Sequence, residues 1–186
     1  MAWLNEEQLQ DLNFRKLGKN VKISDKASLY DTHLMEIGDN SRIDDFCVIS
    51  GHVVLGRNVH IAVFCNVAGG SEGVTLEDFS GLAYGCHIFS QSDDYSGASL
   101  TNPTIPTEFK KEKKEKVQIG KHCIVGTNSI ILPGVAMGEG SSLGAMSMLT
   151  KSCEPWSIYF GIPAKKLKNR KQTLLEMEKL YLEKDL

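Results

Sequence analysis

At 186 residues the chain has room for one domain of ordinary size. Its 41% hydrophobic and 24% charged residues are an ordinary globular balance, and a net charge of -2 leaves no footprint for nucleic acid or an anionic membrane. No apolar run reaches the ~18 residues of a membrane span, and MAWLNEEQLQDLNF lacks the basic start and apolar stretch of a signal peptide, so a cytoplasmic protein is expected.

The first predicted element is a helical cap over residues 1–16, where Asn5 and Gln8 form a capping-box pattern ahead of Leu9 and Leu12. Then a period of six sets in. Leu17, Ile23 and Leu29 open a ladder that continues through Ile37, Ile43, Ile49, Leu55, Ile61, Val67, Leu76, Leu82 and Ile88. It resumes at Ile119, Val125, Ile131, Met137, Leu143 and Leu149. Six is neither a helical nor a simple strand period. It fits a short strand plus a turn, with three such units closing a triangular coil and stacked coils pairing as parallel strands. Glycine follows the ladder residue at positions 18, 38, 56, 120, 126, 138 and 144, where the backbone is expected to bend tightly. Four residues after the ladder stand small side chains, all five cysteines among them (47, 65, 86, 123 and 153). This placement, with no CxxC, predicts inert small core residues rather than disulfides, nucleophiles or metal ligands.

The register breaks define the rest. Steps of 8 after Leu29 and 9 after Val67 are small corner loops. The step of 31 after Ile88 sends 25 residues, about 92–116, out of the helix, and a loop that long on a regular scaffold is a candidate for function. Its run KKEKKEK (110–116) reads as solvated and mobile, and His33, His52 and His122 as solvated corners. The repeat domain is expected over 17–163. After Pro163, Leu174, Met177 and Tyr181 recur at helical spacing, predicting an amphipathic C-terminal helix within 164–186.

The run IGKHCIVGTNSIILPGVAMGEGSSLGAMSMLTKSCEPWSIYFGIPAKKLKNR resembles the C-terminal signature of hexapeptide-repeat acyltransferases, and the resemblance extends over roughly residues 17–168. These include sugar O-acetyltransferases and nucleotide-amino-sugar N-acyltransferases. The resemblance implies a left-handed parallel β-helix, an exception to the usual right-handed crossover, assembled as a homotrimer with sites between subunits. It implies acyl-CoA, with acetyl-CoA expected, as co-substrate and no metal. On the donor side it assigns Ala145, Met146 and Ser147 to the acyl-CoA groove, and Thr150 and Lys151 to the nucleotide end. Gly161 and Pro163 belong to a turn beside the pantetheine arm, and Lys165 and Lys168 to the 3'-phosphate, whose charge a lysine complements.

In the O-acetyltransferases the long loop carries a histidine that serves as general base. Here Asp93 takes its place, and none of the five histidines lies in the loop. A hydroxyl needs such a base. An amine, with a pKa of about 8, is partly free near neutrality and needs only positioning and loss of its proton. Asp93 and Asp94 can bind and orient an ammonium, with Tyr95 and Asn102 beside them for the acceptor. The loop's SDDYSG also resembles the viosamine- or anthrose-type N-acyltransferases. The function expected is N-acylation of a nucleotide-linked amino sugar for cell-surface polysaccharide such as lipopolysaccharide O-antigen. The alternative is O-acetylation with His87 or an aspartate as base, His60 being a lesser candidate; a further one is a non-enzymatic solenoid scaffold. A zinc site of the γ-carbonic anhydrase kind would need two histidines five apart, and here the closest pair, His52 and His60, are eight apart.

Overall fold

The computed structural model describes residues 2–184. The six-residue ladder folds into a parallel β-helix with three flat faces. The first face pairs Leu17 with Ile37, Leu55, Leu76, Ile119 and Met137 in successive coils. The second aligns Ile23, Ile43, Ile61, Leu82, Val125 and Leu143. The third aligns Leu29, Ile49, Val67, Ile88, Ile131 and Leu149. From Ile37 onward these aliphatic residues are at most 2% exposed, so each coil buries its neighbour's inner side chains in one continuous core.

The glycines after the ladder residues have a different reason from tight bending. None of the seven lies in the left-handed region; each touches the backbone or side chains of the next coil. A Cβ on Gly126 would sit 2.4 Å from the Ala145 nitrogen, and one on Gly38 2.4 Å from the Gly56 carbonyl. The bending falls three residues after the ladder, where Asn20, Asn40, Asn58 and Asn128 take positive φ, as asparagine does more readily than most residues. Phe46, Phe64, Phe79, His122 and Met146 do so at equivalent corners.

The small residues four after the ladder are donors as well as fillers. The thiols of Cys47, Cys65, Cys86 and Cys123 reach carbonyls of the following coil at Ala62, Ala83, Gly126 and Gly138, 3.0–3.2 Å away. The hydroxyls of Ser41 and Ser129 do the same to Gly56 and Gly144. All five cysteines are free and buried. Burial, helped by Cys123, pushes the Cys153 thiol up to about 12.

All three insertions leave the helix at one corner, between the third and first faces. Within the long loop the charged run 110–116, expected to be solvated, is mostly exposed and contributes a short strand. Gln91–Ser92 pairs antiparallel with Lys113–Lys114, closing its base, and Lys110 and Lys114 both ion-pair with Glu112. The N-terminal helix α1 (Glu6–Asp11) has both bonds of the Asn5–Gln8 capping box and buries Leu9.

At the other end, where a helix is expected over 164–186, residues 164–184 are helical only in part, and 185 and 186 lie outside the described residues. Lys165–Asn169 forms a strand antiparallel to Ser157–Phe160, extending the second face, and helix α2 spans Leu174–Lys184. Helix α2 lies against the corner between the first and second faces, where Glu178 accepts from Lys121 at 2.6 Å and contacts His122 Nε2 at 2.8 Å. His122 is therefore buried rather than solvated. Among the described residues no helix is long and apolar enough to cross a membrane.

If coil-to-coil contact is what demands glycine, Gly126→Ala should lower the thermal midpoint by roughly 5 °C, the effect of about 1–3 kcal/mol of overpacking. Gly81→Ala, whose Cβ would meet only the His60 carbonyl at an ordinary 3.4 Å, should change it little. Equal shifts, followed by scanning calorimetry, would contradict this origin.

Candidate active site

The third face carries an unusual outer surface in its last coils. Its inward rungs are Ile88, Ile131 and Leu149, so the residues flanking them point outward. His87, Ile130 and Met148 are successive partners in one outer row, with Phe89 and Leu132 in the other. The loop leaves the helix directly after Phe89 and folds back across these positions. Between them lies a cleft of about 500 Å³. Its solenoid wall is apolar, built from Phe89, Ile130, Leu132, Met148 and the buried Pro133. Its loop wall is polar, with Gln91, Ser92, Asp93, Tyr95 and Glu112.

The two neighbouring aspartates do different things. Asp94 is tied into the loop: its carboxylate accepts from the Ser96 amide at 2.8 Å and the Ser99 hydroxyl at 3.0 Å. Ser96, through hydroxyl and amide, and Ser99 hold its carboxyl below the usual carboxylate range. Among the described residues the Asp93 carboxylate accepts only the Asn102 amide, at 3.3 Å to each oxygen, and it lines the cleft. Tyr95 lines it too and is 92% exposed. The Asn102 side chain is turned to its own loop, accepting from the Thr104 amide and hydroxyl. The structure thus brings Asp93 and Tyr95 together and leaves Asp94 and Asn102 as fasteners of the loop.

His87 stands one rung beyond Ile130 with its ring stacked on Phe89, 6.1 Å between centroids. His60 is elsewhere, on the second face. Its Nε2 lies 2.9 Å from Asp44 Oδ2 in a separate groove beneath α2. Against burial, hydrogen bonds from Arg42 and His60 hold the Asp44 carboxyl below the usual range. Among the described residues no group of three or more His, Cys, Asp and Glu side chains is placed to hold a metal ion.

Of the residues that the resemblance assigns to the donor, Ala145, Met146, Ser147 and the Gly161–Pro163 turn lie at the corner between second and third faces. Of the three amides assigned to the groove, two are already engaged: Met146 donates to the Thr127 carbonyl at 2.8 Å and Ser147 to Ser129 Oγ at 3.2 Å. Ala145 is the one whose amide makes no such bond among the described residues, and the residue is exposed. The Ser147 hydroxyl accepts from the Gly161 amide at 2.9 Å. Met148 donates to the Gly161 carbonyl and accepts from the Ala164 amide. The Gly161–Pro163 turn is therefore stitched to the end of the same row that forms the apolar wall. Thr150 and Lys151 follow it, exposed. Lys165 and Lys168 lie on the exposed strand after the turn, opposite Phe160 and Ile158.

This geometry has close counterparts. A family model described as bacterial transferase hexapeptide (six repeats) matches residues 35–69 and 116–151, stretches on either side of the loop. Over 184 residues the chain is 41% identical to the dTDP-4-amino-4,6-dideoxy-D-glucose acyltransferase of Escherichia coli, covering 97% of this chain and 95% of that one. The chain belongs to the hexapeptide-repeat acyltransferases.

Crystal structures of AntD, an N-acyltransferase from Bacillus cereus, are similar throughout. A mutant in complex with dTDP-4-amino-4,6-dideoxyglucose and coenzyme A is 43% identical, matches over 98% of both chains and has a TM-score of 0.97. Another, in complex with dTDP and 3-hydroxybutyryl-CoA, is 42% identical over 98% of this chain and 97% of that one, also at 0.97. The left-handed β-helix of these acyltransferases is the fold of this chain, and acyl-CoA is the co-substrate of the group.

Two parts of this acyltransferase's cleft were not legible from the spacing. Glu112 lies within the charge run, where Lys114 and Lys110 hold its carboxyl below the usual range. Ile130, Leu132 and Met148 are apolar at outward positions; counting the flanks of the ladder as well as the ladder would have flagged them.

Asp94→Ala should free the loop without touching the core. Limited trypsin digestion should then cut the lysine-rich return strand severalfold faster at an unchanged thermal midpoint. Asp93→Asn, which keeps an acceptor for Asn102, should leave the rate alone. Equal rates in the two variants would mean that Asp94 is not what fastens the loop.

Proposed function

We propose that this acyltransferase forms an amide between the acyl group of an acyl-CoA and the 4-amino group of a dTDP-linked 4-amino-4,6-dideoxyhexose. The observation that carries it is a carboxylate, Asp93, facing a cleft whose loop has no histidine, in a chain so similar to amino-sugar acyltransferases along its whole length. Asp93 binds the acceptor as its ammonium and orients it. Once its proton has passed through the carboxylate to water, the nitrogen lone pair attacks the thioester carbon. The C–S bond breaks, CoA leaves as the thiolate, and the second nitrogen proton neutralises it. Holding the two reactants in contact supplies most of the acceleration. The apolar wall is compatible with a 6-deoxy sugar, which presents a methyl group where ordinary hexoses carry a hydroxyl.

The Ala145 amide, the Gly161–Pro163 turn, Thr150 and Lys151 hold the donor in this proposal, and Lys165 and Lys168 its 3'-phosphate. The active form is a homotrimer, a reading supported by exposed Phe46, Phe64, Tyr84 and Met146 along the donor corner, a surface that a second copy would cover. The compartment is the cytoplasm, where acyl-CoA and nucleotide sugars are at hand and five unpaired thiols persist.

Release of free thiol should require a dTDP-amino sugar, and the rate should rise with pH through the acceptor's own pKa, about 8. Asp93→Asn should lower turnover strongly, while His87→Ala costs far less than the factor of about 100 to 10,000 expected of a general base. Loss of activity in His87→Ala, full activity in Asp93→Asn and preference for a hydroxyl sugar would replace this reading by O-acylation. A monomer by light scattering would remove the inter-subunit donor site.

A further inference from the structure

The outer part of the long loop, residues 95–109, is an arm that takes no hydrogen bond from the solenoid. Nearly all of it is exposed, and among the described residues its hydrogen bonds stay within the loop. It is nonetheless shaped. Asp94 gathers Ser96 and Ser99, and the Leu100 amide donates to the Phe109 carbonyl at 3.0 Å. That bond brings two apolar residues side by side, Leu100 56% and Phe109 57% exposed. From 93 to 109 the chain carries Asp93, Asp94 and Glu108 and no lysine or arginine. The groove beneath α2 complements this arm in both respects. It measures about 470 Å³, with Phe79, Ile124, Leu174, Met177 and Tyr181 as its apolar lining. Arg170 and His60 line it too, and Arg42 is His60's neighbour in the same outer row. The carboxylate in the lining, Glu178, is already paired with Lys121 and His122.

The arm cannot reach this groove in its own copy. It leaves at the corner between the third and first faces, and the groove opens on the second face, opposite that corner. Both nevertheless stand at one height. The arm departs after Phe89 and returns before Val117, while the groove spans the rungs of His60, Gly81 and Ile124 in the same coils. Turning a second copy about an axis parallel to the solenoid leaves heights unchanged, so such a turn can set the arm of one copy against the groove of the next. Arm and groove are different patches, which makes the contact head-to-tail, the kind that closes into a ring. We infer that each arm seats Leu100 and Phe109 in the groove beneath α2 of a second copy of this chain. The inference rests on the homotrimer proposed above and names the contact that holds it. The loop that carries Asp93 is then fixed at both ends, by strand pairing at its root and by the next copy at its tip.

The test is cross-linking between copies with a short bismaleimide, with light scattering on the same samples. Phe109 and Met177 are both exposed and the five native thiols are buried, so the unaltered protein should give no product. Phe109→Cys and Met177→Cys chains, co-expressed with different tags, should yield a covalent pair made of one of each. Either variant alone should yield none, and the double variant should yield covalent rings of three. Leu100→Ser with Phe109→Ser should raise the concentration at which the oligomer half dissociates by roughly tenfold or more, the loss expected of large apolar side chains leaving a buried seat. A trimer whose co-expressed variants fail to cross-link would overturn this contact alone. So would single variants that cross-link to themselves, which would mean that like patches meet, or a trimer indifferent to the serine changes. A monomer by light scattering would remove the homotrimer reading, and this contact with it.

Discussion

The constraint on which everything else depends is the parallel pairing of each coil with the next on all three faces at once. A residue added inside a face would shift every later side chain between core and solvent. Chain can therefore enter or leave only at corners, and in this protein it does so at a single one. That is why the 25-residue excursion leaves beside the third face, and why its cleft is built on that face's outer rows. The same stacking brings successive backbones so close that glycine is required at the contact points, and it leaves room four residues after the ladder only for a serine, a cysteine or a small aliphatic.

How much of this could be read from residues alone depends on what each residue obeys. The ladder from Ile37 to Leu149 obeys one period, so the faces, their register and the place of the excursion follow from counting. The glycines were visible but their reason was not, because contact with a residue 18 positions later leaves no local mark. The cysteines were rightly placed in the core, yet their hydrogen bonds to the following coil depend on geometry that serine satisfies equally. Lys165–Asn169 looks like a solvated segment because every side chain in it is exposed; only backbone pairing with Ser157–Phe160 makes it a strand. His122 looked like a solvated corner because the Glu178 that covers it lies 56 residues on.

The sequence shows that two aspartates stand at the start of the long loop and not how they differ. Adjacent aspartates cannot be told apart by spacing, and the distinction between Asp93 facing the cleft and Asp94 fastening the loop arises from where Ser96, Ser99 and Asn102 offer donors. Apart from Phe89, the apolar wall opposite comes from residues more than thirty positions further along, brought under the loop by coil stacking. The cleft sets a carboxylate opposite an apolar wall, with the Gly161–Pro163 turn at the end of that wall. Such a site can hold an ammonium and a thioester together, and for an amine little else is needed.

The most direct measurement is the position of the acceptor nitrogen in a crystal structure with CoA and the dTDP-linked amino sugar bound. It is expected beneath the loop, within about 3.5 Å of the Asp93 carboxylate, with the CoA sulfur pointing toward Met148 from the Gly161–Pro163 turn. A nitrogen seated instead against His60 and Asp44 in the groove beneath α2 would contradict the assignment of the cleft as the place where the amide forms.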